Sequence, residues 1–118
     1  MKPWASHEIM VATLAKQGEA VLDNLTPEYV DLWHAATGVC TEAGELLDCI
    51  KKTVIYNKPL DVNNIIEELG DLEFYIAQVR LNLKIKRWLI LQRNMKKLYK
   101  RYSEGYSDQA ARQRADKA

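Results

Sequence analysis

Residues 42–71 read EAGELLDCIKKTVIYNKPLDVNNIIEELGD. Near the centre, Asn57-Lys58-Pro59 stops any helix that arrives from the N-terminal side. On either side of the stop stands the same acidic spacing, Glu42-Ala43-Gly44-Glu45 before it and Glu68-Leu69-Gly70-Asp71 after it, with 22 residues between them. Residues three apart on a helix lie about 60° from each other, one turn up, so each pair projects two carboxylates from one face. A connection of about five residues makes the two helices antiparallel neighbours. Glu45 lies 14 positions before Pro59 and Glu68 nine after it, so uneven loop arms let the pairs face each other at similar height. Four carboxylates in one place repel unless something positive sits between them. An all-oxygen donor set suits a hard divalent cation, Mg²⁺ or Mn²⁺, better than zinc. The pattern points to a metal site that handles phosphates.

Working outward, the whole chain reads as helix. Ser6, followed by Glu8 and Ile9, opens a first helix to about Asp23, with Gly18 as its weak spot. Thr26-Pro27 starts a second, with Thr as N-cap, Pro at the first helical position and the acids Glu28 and Asp31 nearby. It continues to about Tyr56, and Leu32, Ala36, Val39, Ala43, Leu46, Ile50 and Val54 recur at 3 or 4 as its expected buried stripe. Asp61 caps a third helix, about residues 62–82, with Ile65, Ile66, Leu69, Leu72, Ile76 and Val79 as its stripe and Glu68 and Asp71 flanking it. A fourth helix, roughly 86–103, carries the seam Trp88, Leu91, Met95, Leu98 and Tyr102, with Asn94, Lys97 and Arg101 on a neighbouring line. Residues 105–118 form a short helix from Ser107 or a frayed tail. Trp33 and Trp88 are expected in the core, the competing role for Trp33 being to stack on a base and for His34 to hydrogen-bond one. The expected architecture is all-α: one domain over 1–118, with an N-terminal helix (1–25), metal- and phosphate-binding helices (26–104) and a tail (105–118). These form an antiparallel four-helix bundle whose long apolar faces are completed by homo-oligomerisation.

Length and composition agree. A chain of 118 residues makes one domain. Its opening residues lead into no long apolar run, and no stretch approaches the ~20 apolar residues of a membrane span, so a soluble cytoplasmic protein is expected, without a membrane partner. Cys40 and Cys49 on one helix stand roughly 13 Å apart, too far for a disulfide, and read as small packing groups. The formal net charge of +1 hides a split. Residues 1–79 hold 5 Lys/Arg against 13 Asp/Glu, and residues 80–118 hold 12 against 3. Such asymmetry suits a nucleic-acid tail, and equally an enzyme with an acidic metal-binding half and a basic anion-binding half.

The residues also resemble a known family. Glu42-Ala-Gly-Glu-Leu-Leu-Asp48, Ile50-Lys-Lys52, Tyr56-Asn-Lys-Pro-Leu-Asp61 and Glu67-Glu-Leu-Gly-Asp71 resemble, in order, the signature of the MazG-like all-α nucleoside triphosphate pyrophosphohydrolases. Asn94-x-x-Lys97-Leu98-x-x-Arg101-Tyr102 and Gly105-Tyr106-Ser107 resemble the C-terminal signature of its small phage-type branch. The resemblance covers about residues 30–115. It implies cleavage of a nucleoside triphosphate between the α and β phosphates, with Glu42, Glu45, Glu68 and Asp71 as catalytic metal ligands and Glu67 as a further ligand or a plain surface acid. Two or three Mg²⁺ or Mn²⁺ ions would act as Lewis acids and activate water. Lys97 and Arg101 would grip the β and γ phosphates, with Asn94 and Tyr102 beside them and Lys52, Tyr56 and Lys58 near the phosphate chain. Some relatives carry an acid immediately before the first pair, suggested as general base; here that position is Thr41, which leaves the role to Glu42, Glu67 or the metal. Dimers or dimer-of-dimers tetramers are implied. Loose likeness to phage members favours a purine deoxynucleotide, dGTP ahead of dATP, with dUTP and dCTP open.

Three other readings compete with this one. A di-iron carboxylate bundle needs Glu-x-x-His, and neither pair has that His. The relative that hydrolyses phosphoribosyl-ATP shares the fold and acids, and the C-terminal signature argues against it. A non-catalytic helical nucleic-acid-binding module explains the basic half but would set four acids near phosphates.

Overall fold

The computed structural model describes residues 5–103 and 105–114. Residues 1–4, Glu104 and 115–118 lie outside the described residues, and with them the opening read for a leader and the end of the tail. Among the described residues six helices follow in order: α1 (His7–Leu14), α2 (Gly18–Leu22), α3 (Pro27–Val54), α4 (Val62–Asn82), α5 (Arg87–Arg101) and α6 (Asp108–Gln113). The fold is all-α, with no strand among the described residues.

The starts follow local chemistry. Thr26 Oγ1 accepts from the Tyr29 amide at 3.2 Å, Asp61 Oδ1 from Asn64 at 3.0 Å and Ser107 Oγ from Ala110 at 3.0 Å, each satisfying an otherwise orphaned first-turn donor. Ser6 caps α1 in the same way, from Ile9. The single helix expected over residues 6–23 is broken: Ala15 and Gln17 are extended, and α2 restarts at Gly18. Neither piece buries a residue, so no packing offsets the cost of nucleating a short helix. The segment from Ser107 is a helix rather than a frayed tail.

α3 and α4 form an antiparallel hairpin, the main tertiary contact of the chain. Its turn runs through Asn57 in the left-handed region (φ 52°), and the Lys58 amide donates back to the Lys52 carbonyl at 3.1 Å. Gly38 lets the helices close: a Cβ there would collide with the Tyr75 ring. Near the turn, Asn64 Nδ2 donates to Cys49 Sγ at 3.0 Å, and burial pushes that thiol's pKa up. α5 leaves the hairpin after a second left-handed residue, Lys84, and packs chiefly with α6.

The core is small. Among the described residues the buried apolar side chains are Ala35 and Cys49. Trp33 and Trp88, expected inside, are 64% and 63% exposed, and Cys40 is exposed as well. The radius of gyration is 20.5 Å, against roughly 13–14 Å for a globular chain of this length. Among the described residues, much of the aromatic and aliphatic surface that the sequence marks for burial stays exposed. No helix among the described residues is long and apolar enough to cross a membrane.

Candidate metal centre

Two apolar seams zip the hairpin. From α3, Leu32, Ala35, Val39, Glu42, Leu46, Cys49 and Thr53 step by 3 and 4 and are all buried or half-buried. From α4, Ile65, Glu68, Leu72, Tyr75 and Val79 do the same. Glu42 and Glu68 thus occupy seam rungs that the pattern assigns to apolar side chains, rather than flanking the stripe. Conversely Ala36, Ala43, Ile50 and Val54 on α3, and Ile66 and Leu69 on α4, turn out to solvent. A spacing of 3 and 4 fits two adjacent seams one residue apart, and the expected stripe mixed them.

Carboxylate oxygens of Glu42, Glu68 and Asp71 lie within 4.8 Å of one another. The Glu68 carboxyl is held above its ordinary range, first by desolvation, then by a hydrogen bond with Glu42 and by the charges of Glu42, Asp71 and Glu45. Placement in the seam raises it first by desolvation, and the neighbouring acids add to the rise. A hard divalent cation fits this donor set: the ligands are all oxygen, they converge from two rigid helices, and the ion's charge answers the repulsion. Glu45 is exposed and stands outside the trio, although its charge is felt at Glu68. Glu67 is exposed and also outside it. The Thr41 hydroxyl donates to the Gly38 carbonyl at 3.1 Å, bound to its own helix.

Glu42 and Asp71 share a recess of about 320 Å³ with Phe74 and Tyr75. The two rings meet edge to face at 5.2 Å, and His34 lies 6.2 Å from Tyr75. Sequence reasoning missed Phe74 and Tyr75. The signal was present, because Tyr75 follows Asp71 by four and Glu68 by seven, on the same helix face.

None of the remaining candidates is part of the trio. Lys52 pairs with Asp48 at 3.3 Å, a bond that raises the pKa of its ammonium. Tyr56 is 60% exposed with Lys51 Nζ 5.8 Å from its ring, and Lys58 is exposed in the turn. Asn94 and Lys97 are exposed on α5, while Arg101 and Tyr102 are half-buried at its end, guanidinium 5.8 Å from ring. Tyr102 in turn meets Tyr106 at 5.3 Å. The hairpin therefore assembles three acids and an aromatic recess, and the basic helix stands on a separate element.

No curated protein and no solved structure matches the chain. Residues 34–105 match the family model of the MazG nucleotide pyrophosphohydrolase domain, a span that contains the acid trio, the hairpin turn and α5. The chain belongs to the MazG nucleotide pyrophosphohydrolase family.

Proposed function

We propose that the chain hydrolyses a nucleoside triphosphate between the α and β phosphates, releasing the monophosphate and pyrophosphate, with divalent metal held by Glu42, Glu68 and Asp71 and with Glu45 as the outer acid. The observation that carries this reading is the pair of glutamates set into the helix–helix seam, with a third carboxylate within 4.8 Å. Half-buried acids weaken a seam unless a cation uses them. When bound, two or three Mg²⁺ or Mn²⁺ ions would neutralise phosphate oxygens and polarise the attacking water.

The chain's own groups divide the remaining work. The seam holds the ligand carboxylates on two rigid helices, so little reorganisation accompanies binding. Lys97 and Arg101, one turn apart on α5, with Asn94 and Tyr102, take the β and γ phosphates of the leaving pyrophosphate. Lys52 adds positive charge two turns along from Glu45, and Tyr56 and Lys58 close the turn side. Phe74 and Tyr75 offer apolar surface beside the acids for the nucleoside. We place a purine deoxynucleotide first, dGTP ahead of dATP, on the likeness of residues 94–107 to the phage-type branch, acting on the cytoplasmic nucleotide pool.

The test is pyrophosphate release from the eight common NTPs and dNTPs plus dUTP, with Mg²⁺, with Mn²⁺ and with EDTA. One monophosphate formed with pyrophosphate only in metal, and abolished in Glu68→Ala, supports the reading. No turnover of any nucleotide with either metal sinks it.

A further inference from the structure

Cations that the metal centre leaves unused gather at the joint between α4 and α5. Arg80, Lys84, Lys86 and Arg87 line one recess of about 480 Å³, whose wall Leu81 and Ile85 complete. That volume is in the range of small-ligand pockets. Residues 80–103 hold nine Lys/Arg and no Asp/Glu. Among the described residues the salt bridge formed is Lys52–Asp48, so no carboxylate answers any of the four cations. Arg80 is half-buried, and its Nε–H is shut off from solvent with no acceptor among the described residues. A guanidinium desolvated in this way costs stability until a negative group stands beside it.

Helix electrostatics accounts for only half of the group. Arg80 and Lys84 stand at the C-terminal end of α4, where the dipole favours cations. Lys86 and Arg87 open α5, where the dipole opposes them. The first turn of α5 has no acid, and Lys86 gives its amides no side-chain cap. We propose that this recess is a second phosphate site, which binds a small soluble polyphosphate anion without metal. Such an anion carries enough charge to answer four cations, which a carboxylate or a halide does not. The planar forks of Arg80 and Arg87 suit phosphate oxygens, and the two lysines add point charge. A recess also takes a compact anion better than it takes a strand or a membrane surface. Arg80 lies nine residues beyond Asp71, about 14 Å along α4 and on its opposite face. Arg87 lies ten residues before Lys97, about 15 Å along α5. The site is thus separate from the acid trio and from the phosphate grip assigned to Lys97 and Arg101. Because Arg80 belongs to α4 and Arg87 to α5, one bound anion ties the two helices at their joint.

The experiment titrates inorganic pyrophosphate into the full chain by calorimetry, in EDTA, so that neither metal nor turnover takes part. The wild type should bind saturably. Arg80→Gln, and the double variant Lys84→Asn/Arg87→Gln, should each weaken binding about tenfold or more at unchanged helicity. Lys97→Ala and Lys100→Gln, which remove a positive charge elsewhere on α5, should bind like the wild type. The Lys84 and Ile85 amides donate to the Leu81 and Arg80 carbonyls at 3.2 and 2.8 Å, and their hydrogen exchange should slow with pyrophosphate. Separate arms offer phosphatidylcholine vesicles containing phosphatidic acid, and a single-stranded oligonucleotide. No binding of pyrophosphate, equal weakening by Lys100→Gln, or loss in Lys97→Ala with retention in Arg80→Gln would each overturn the proposal. So would binding to the vesicles or the oligonucleotide alone. The double variant changes exposed side chains and puts asparagine at a left-handed position that it tolerates, so the test stands even where Arg80→Gln does not fold.

Discussion

At the scale of single residues, Glu68 concentrates the argument. Its carboxyl is raised above the ordinary range by desolvation, Glu42 and the neighbouring acids. A raised carboxyl means that the folded chain holds this proton more tightly than the unfolded one. Folding is therefore favoured at pH values below the ordinary carboxylate range, about 4.3, and loses that advantage as pH climbs through the raised value. In EDTA, the melting temperature of the wild type should fall from pH 4 to pH 7 more steeply than that of Glu68→Gln. Added Mg²⁺ at neutral pH should recover the wild type and leave the variant nearly unmoved; parallel pH profiles for the two proteins would contradict the account. The acids should also rank by position. Removing Glu68 or Asp71 is expected to cost about a thousandfold in kcat/KM, ~4 kcal/mol, and removing the outlying Glu45 about tenfold to a hundredfold. Steady-state kinetics of the alanine variants reads the order directly.

The helices set a second level of expectation. Gly38 is where α4 comes closest, and a methyl there would meet the Tyr75 ring near its root. Because the ring cannot swing aside at its base, Gly38→Ala should destabilise by about 1–3 kcal/mol despite the ~1 kcal/mol gain in helix propensity. Urea unfolding gives the number, and a more stable variant would show that the close approach is dispensable. On α5, Lys97→Ala should raise KM for the triphosphate about tenfold, ~1.4 kcal/mol, with helicity unchanged; an unaltered KM would remove α5 from phosphate binding. The helices are also where the limits of reading sequence show most clearly. α4 runs over the residues expected of it, 62–82, because Asp61 and Pro59 mark its start chemically. α3 and α5 end within about two residues of expectation. What could not be read was which of two neighbouring 3-and-4 registers faces α4. Ile66 and Glu68 exchanged places for that reason, and Trp33 and Trp88 went outside. The sequence of one chain names apolar faces without saying what covers each, and the recess beside Glu42 and Asp71 arises only once Gly38 has let Tyr75 in.

For the whole molecule, two buried apolar side chains among the described residues and a radius of gyration of 20.5 Å leave little stability to the isolated chain. If two copies complete each other, the melting temperature should climb with protein concentration, since association is then part of folding. A midpoint constant over a hundredfold dilution would deny that coupling. Metal should add to it: a cation at a hundred times its Kd contributes about 2.7 kcal/mol, visible as a thermal shift that EDTA reverses. That thin core has a consequence for dosage. At low copy number, chains that need each other to hold shape pair as the square of their concentration. Activity per cell would then rise more steeply than expression, and unpaired copies, open along their helices, would be the ones that proteases clear.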